Sequence, residues 1–88
     1  MNSNTMTVSV LFFARLRESL GTGELQLTVP SATTVDGLLT ILTEKGGPWS
    51  QLKGGAPVMI AVNQTMTTTS TLLQDQDEVA LFPPVTGG

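Results

Sequence analysis

Two stretches of this chain alternate, and the stretch after them does not. From Met6 to Phe12 the apolar residues Met6, Val8, Val10 and Phe12 are separated first by Thr7 and Ser9. From Glu24 to Val29 the apolar Leu25, Leu27 and Val29 alternate with Glu24, Gln26 and Thr28. A period of two places successive side chains on opposite faces of a strand, so each stretch predicts a strand with one core face. From Val35 the period changes, and Val35, Leu38, Leu39 and Leu42 fall at i, i+3, i+4 and i+7, one stripe of a helix. Such a chain is constrained to a sheet with a helix laid on one face, because both apolar surfaces need a shared core. Gly21-Thr22-Gly23 makes the turn that pairs the two strands antiparallel, and Arg15, Arg17 and Glu18 read as a charged run entering it.

The helix is predicted over 34–45. Thr33 or Thr34 caps it, Asp36 suits its positive end in a variant of the capping box, Lys45 suits the last turn and Gly46 stops it. Gly37 costs such a helix about 1 kcal/mol against Ala unless close packing requires it. Trp49 and Leu52 share one short helical turn, with Trp49 plugging the core. Val58 to Val62 is a third strand, Asn63-Gln64 turns the chain, and Met66 to Thr69 forms a polar edge strand. Leu72 and Leu73 anchor the next connection, and Asp75 to Glu78 is a turn. Carboxylates at Asp75, Asp77 and Glu78 raise the question of calcium, but the spacing lacks the glycine and closing Glu of a calcium loop. A solvated turn is the expectation. The element order is then β-β-α-β-β-β, an α+β fold whose mixed sheet carries one main helix on one face.

Val79-Ala80-Leu81-Phe82 is the last strand, and Pro83-Pro84 stops it because proline has no N–H for a ladder. The domain is expected to span residues 6–82, with 1–5 unordered and 83–88 a tail. Extended, Val85-Thr86-Gly87-Gly88 reaches at most about 14 Å. A Gly-Gly end passes a narrow channel because it has no Cβ. A frayed terminus is the alternative reading. Strand one also ends with Leu11 and Phe13 on its second face, where either a covering element of the chain or a partner would meet them.

Composition narrows the chemistry. The 88 residues suit one domain, which buries about 60–65 % of its unfolded surface, and 40% hydrophobic content argues for a globule. Four basic against seven acidic residues, a net charge of -3, disfavours a nucleic-acid or anionic-membrane partner. No apolar run approaches the roughly 18 residues of a membrane span, and the first residues lack a secretory pattern, so a cytoplasmic location is expected. There is no Cys and no His, hence no thiolate nucleophile and no imidazole base or metal ligand, and no phosphate-binding loop is present. A self-contained enzyme is not expected; the chain reads as a partner or substrate of other enzymes.

The segment DQDEVALFPPVTGG closely resembles the C-terminus of the small-subunit family of molybdopterin synthase, the MoaD-type sulfur carriers. VLFFARLRE at Val10 to Glu18 and AVNQT at Ala61 to Thr65 resemble that family's first strand and mid-chain turn. The resemblance runs from Met6 onward and implies the ubiquitin-like β-grasp fold. Gln76 departs from it where the family often has Gly.

What the resemblance implies is a cycle acting through Gly88. An adenylyltransferase similar to ubiquitin-activating enzymes, holding ATP and Mg, adenylates its carboxylate. A sulfur donor protein then makes the thiocarboxylate, and Pro83, Pro84, Val85, Thr86 and Gly87 thread the channel of the large synthase subunit. Leu11, Phe13 and Phe82 are the expected docking patch, with Arg17 at its rim; no cofactor or metal is bound by this chain itself. Two alternatives remain, a thiazole-pathway sulfur carrier and a ubiquitin-like modifier or pure interaction module.

Overall fold

The computed structural model describes residues 4–54 and 57–84. Strand β1 (Thr5–Phe12) runs into helix α1 (Ala14–Leu20), and β2 (Glu24–Pro30) returns antiparallel to β1 with Met6 opposite Val29 and Val10 opposite Leu25. Helix α2 (Val35–Thr43) follows, then a 3-10 turn (Gly47–Ser50), the single turn α3 (Gln51–Gly54), and strands β3 (Met59–Val62), β4 (Thr65–Thr67) and β5 (Glu78–Phe82). The five strands form one sheet in the order β2-β1-β5-β3-β4. β5 lies at its centre, parallel to β1 and antiparallel to β3.

Alternation explains the core. Met6, Val8, Val10 and Phe12 are all buried, and the register places Val79 and Leu81 of β5 beside Val10 and Phe12. Ile60 of β3 sits beside Leu81 on the same face. Val35, Leu38, Leu39 and Leu42 of α2 complete the layer from above, so the two predicted periods meet in one cluster. Thr34 caps α2, its Oγ1 accepting from the Gly37 N–H at 3.1 Å. A Cβ on Gly37 would stand 3.1 Å from Thr33 Cγ2, a tight approach that the Thr33 side chain would have to yield to. Leu52 is buried, and Trp49 meets Phe12 edge-on with ring centroids 5.6 Å apart, as a plug at the core's margin.

Several expectations need correction. Arg15, Arg17 and Glu18 lie on helix α1 and not in a loop, so the order is β-α-β-α-α-β-β-β. The chain enters α1 through Ala14 at φ 54, and α1 ends at Gly21, whose φ of 74 suits a residue without Cβ. Helix α2 covers Val35–Thr43, not 34–45, so Lys45 lies past its end, with Nζ 5.4 Å from the centre of the Trp49 ring. Asp36 lies in the first turn of α2 as expected, but its carboxylate pairs with Lys53 Nζ at 3.0 Å. Leu73 is buried as an anchor, but Leu72 is 55% exposed. Thr5, placed in the unordered N-terminus, pairs with Pro30 at the start of β1. The third strand starts at Met59, and β4 spans Thr65–Thr67 where Met66 to Thr69 was expected.

Among the described residues, no helix is long and apolar enough to cross a membrane.

Candidate functional site

The face of the sheet turned away from α2 is polar along β2 and at Thr7, Ser9 and Glu78, but carries an apolar stripe toward the Phe82 end. Leu11 on β1 lies beside Ala80 on β5, Ala80 lies beside Ala61 on β3, and Ala61 lies beside Met66 on β4. Met59 pairs with Phe82 one step along. The register therefore aligns a stripe across four strands. Met59 is 37% and Met66 53% exposed, Leu11, Ala80 and Phe82 are half-buried, and Ala61 is buried.

Phe13 closes one end of this surface. It is the N-cap residue of α1 with φ -125 and ψ 157, still extended, so the alternation of β1 carries through it and sends its ring opposite to Phe12. Its N–H donates to the Leu81 carbonyl at 3.2 Å, which ties it to the exit of β5. There its ring meets Phe82 edge-on, with centroids 6.4 Å apart, while remaining 46% exposed. Edge-to-face pairing at that distance is favourable for aromatic rings.

The structure thus brings together Leu11, Phe13 and Phe82, the three residues the sequence singled out. Arg17 is exposed one helical turn from Phe13, its side chain folded over Gly23, where an added Cβ would stand 3.0 Å from its Nε. Pro83 and Pro84 leave β5 directly after Phe82 and are half-buried. Val85, Thr86, Gly87 and Gly88 lie outside the described residues. Sequence reasoning missed Met59, Ala61, Met66 and Ala80. The signal was present: MIAV and VALF are apolar at consecutive positions, the mark of strands buried on both faces.

What the described stripe offers chemically is apolar contact area. Among the described residues no group of acidic side chains could hold a metal ion. Beside Pro83 a cleft of about 130 Å³ is lined in part by Arg15, Ser19 and Gln51, well below the roughly 300–1,000 Å³ of a small-molecule pocket. Asp75 and Asp77 are engaged structurally, accepting from the Thr7 N–H and the Gln74 N–H, both at 2.8 Å. Gln76 between them has φ 71, the left-handed conformation in which Gly is at ease.

Known proteins share this sequence and shape. The ThiS family pattern matches residues 10–88. The molybdopterin synthase sulfur carrier subunit of Haemophilus influenzae is 37% identical over 92% of this chain and 99% of its own length. Among solved structures, the small archaeal modifier protein 1 of Methanosarcina acetivorans superposes with a TM-score of 0.76 at 33% identity, over 96% of this chain and 98% of that one. A chain from the complex of subunits 1 and 2 of the Helicobacter pylori molybdopterin-converting factor superposes with a TM-score of 0.65 at 27% identity, covering 94% of this chain and all of that one. These neighbours share the ubiquitin-like β-grasp architecture seen here. With the match reaching from the second half of β1 through the tail, the chain belongs to the ThiS family, among relatives that are molybdopterin synthase sulfur carrier subunits.

Proposed function

We infer that this chain is the sulfur-carrying small subunit of a molybdopterin synthase, docking through its open sheet face and reacting through the Gly88 carboxylate. The observation that carries this reading is continuity. The apolar stripe ends at Phe82, and the next residues are the Pro-Pro spacer and the tail. A partner that covers the stripe therefore receives the tail at a fixed place. The large subunit is that partner, in keeping with the two-subunit complex of the Helicobacter pylori relative. Arg17 supplies a polar contact at the rim.

A carboxylate resists nucleophiles until one oxygen becomes a good leaving group. An adenylyltransferase holding ATP and magnesium supplies this in trans, since the chain has no phosphate-binding loop. The Gly88 oxygen attacks the α-phosphorus and pyrophosphate leaves. The outer sulfur of a donor protein's persulfide then attacks the acyl carbon and AMP leaves; a second thiol attacks the donor sulfur of the resulting acyl disulfide, forming a disulfide with the donor and releasing the terminus as a thiocarboxylate. With no Cys in the chain, sulfur has no side chain to ride on. Transfer of that sulfur to the molybdopterin precursor and hydrolysis of the acyl–sulfur bond restore the carboxylate.

Incubation with the cognate activating enzyme, Mg-ATP and a sulfur source should exchange one terminal oxygen for sulfur, read by intact mass. Deleting Gly88 withdraws the carbonyl by about 3.5 Å and should cost at least about 100-fold in transfer. Appending one residue should fail equally. An unmodified wild-type mass, or full activity without Gly88, overturns the reading. The likeness to a small archaeal modifier protein favours a second reading, in which Gly88 joins lysines of other proteins. Lysines of cellular proteins carrying the C-terminal peptide of this chain in isopeptide linkage, lost on deletion of Gly88, would mark it.

A further inference from the structure

We propose that Asn63, Asp75 and Asp77 are positioning residues: they clamp the start of β5 and so fix where its far end delivers the tail. The inference rests on the carrier reading for its consequence, but the clamp itself is a matter of this structure alone.

The clamp grips the turn before β5 from two sides. From β1, the Thr7 N–H donates to Asp75 Oδ1 at 2.8 Å. The Gln76 N–H donates to the Thr7 carbonyl at 2.7 Å, and the Ser9 N–H donates to the Asp77 carbonyl at 2.9 Å. From the β3–β4 turn, the Asn63 N–H donates to the Glu78 carbonyl at 2.8 Å. Asn63 Oδ1 accepts from the Glu78 N–H at 3.0 Å, and Asn63 Nδ2 donates to Asp77 Oδ1 at 2.9 Å. Asp77 Oδ2 accepts from the Gln74 N–H at 2.8 Å. Asn63 thus holds both the N–H and the carbonyl of the strand's first residue, Glu78. It can do so because it sits at φ 51, in the left-handed turn it shares with Gln64 at φ 70.

A strand between two neighbours can slip, and the two kinds of slip are resisted differently. A slip by one residue would send the buried Val79 and Leu81 outward and drive Ala80 and Phe82 into the core, so the hydrophobic pattern forbids it. A slip by two keeps every side chain on its own face, and the parallel ladder repeats with the same period. It would move the strand's end by about 6.6 Å. In one direction Asp77 would come to lie beside Val10, and in the other Pro83 would come to lie beside Phe12. The ladder by itself does not count residues. Side chains at fixed positions do, and Asn63, Asp75 and Asp77 supply that count at the end of β5 opposite Phe82. Asn63 and Asp75 are exposed and Asp77 half-buried, so their work is not core packing.

The test uses the full chain with Asn63→Gly, which keeps the turn conformation while removing the side chain, alone and combined with Asp77→Ala. Cross-strand proton contacts between Val10 and Val79 and between Phe12 and Leu81 report the register by NMR. In the double variant these should weaken, contacts between Val10 and Leu81 should appear, and amide exchange from Glu78 to Leu81 should quicken. The second readout starts from the thiocarboxylate form, made by intein thiolysis so that activation is bypassed, and presented to the large subunit. Each chain carries either its natural tail or a tail with two glycines inserted after Pro84. The unaltered chain should favour its natural tail by at least about 100-fold, and the clamp variants should narrow that preference to under about tenfold. A residue that served stability alone would slow both tails equally. Unchanged cross-strand contacts, or an unchanged ratio between tails, overturns the proposal. Should the double variant fail to fold, Asn63→Gly alone decides by the same readouts. Absence of transfer from the unaltered thiocarboxylate would instead overturn the carrier reading, with the NMR contacts still deciding the clamp.

Discussion

Phe12 and Phe13 are neighbours in the chain and belong to opposite worlds. Phe12 is 1% exposed and meets Trp49 at the margin of the core; Phe13 is 46% exposed and meets Phe82 on the open face. Nothing in their chemistry separates them. What separates them is one step of extended backbone, carried through the N-cap of α1. The two rings show how a small sheet divides its labour: one face is covered by α2 and holds the fold, while the other carries an apolar stripe at one end that α2 does not cover. An exposed ring on the same face as two exposed methionines is a surface that water disfavours.

The largest expected effect lies on the covered face. Phe12→Ala should cost about 3–5 kcal/mol of folding stability, because it removes a fully buried ring and leaves a cavity. Urea unfolding measures this, and partner binding should fall only as the folded population falls. Phe13→Asp should do the reverse, weakening the complex by about 2 kcal/mol while the unfolding midpoint stays put. Calorimetry against the large subunit, paired with the same urea titration, would break the comparison if Phe13→Asp unfolded the domain. A smaller gain is expected from Gln76→Gly. Relief of a left-handed non-glycine residue is worth about 1–2 kcal/mol, offset in part by the flexibility of glycine, for a net of about 0.5–1 kcal/mol. A lower midpoint in the variant would show that Gln76 is held by something other than its backbone. The smallest effect belongs to the surface pair on the helical side. Lys53→Ala removes a partly exposed ion pair with Asp36 worth about 0–1 kcal/mol, less in high salt. A larger loss, insensitive to salt, would mean that the stem of Lys53 packs as well as pairs.

The covered face was legible in the sequence because it obeys simple periods. Met6, Val8, Val10 and Phe12 declare a strand, Val35, Leu38, Leu39 and Leu42 declare a helix, and each set is buried. Helix α1 was not legible because its start carries no capping side chain. Phe13 stands at its N-cap with no side-chain hydrogen bond, and Arg15, Arg17 and Glu18 look like a loop when Leu16 is their lone buried neighbour. The open face was half legible. Leu11, Phe13 and Phe82 stand out as apolar residues on the wrong side of a strand, but Met59, Ala61, Met66 and Ala80 join them only through cross-strand register, which no single stretch of chain contains. Gln76 was legible for a local reason, since the turn needs a left-handed residue whichever strand it feeds.

The central place of β5 has a consequence for how the protein is made. β1 waits for its inner neighbour while every other strand is synthesised, because the register joins Ser9 to Glu78 and Phe12 to Leu81. On the ribosome, the helices and the β1–β2 hairpin can form early, but the sheet has a gap down its middle until β5 leaves the exit tunnel. Pairings so distant in sequence are slow to close and leave unpaired edges and apolar surface open while they wait. The open face is therefore a continuous surface only once β5 has joined β1 and β3. A chain cut short before β5 lacks its central strand, and with it Ala80 and Phe82 of the apolar stripe.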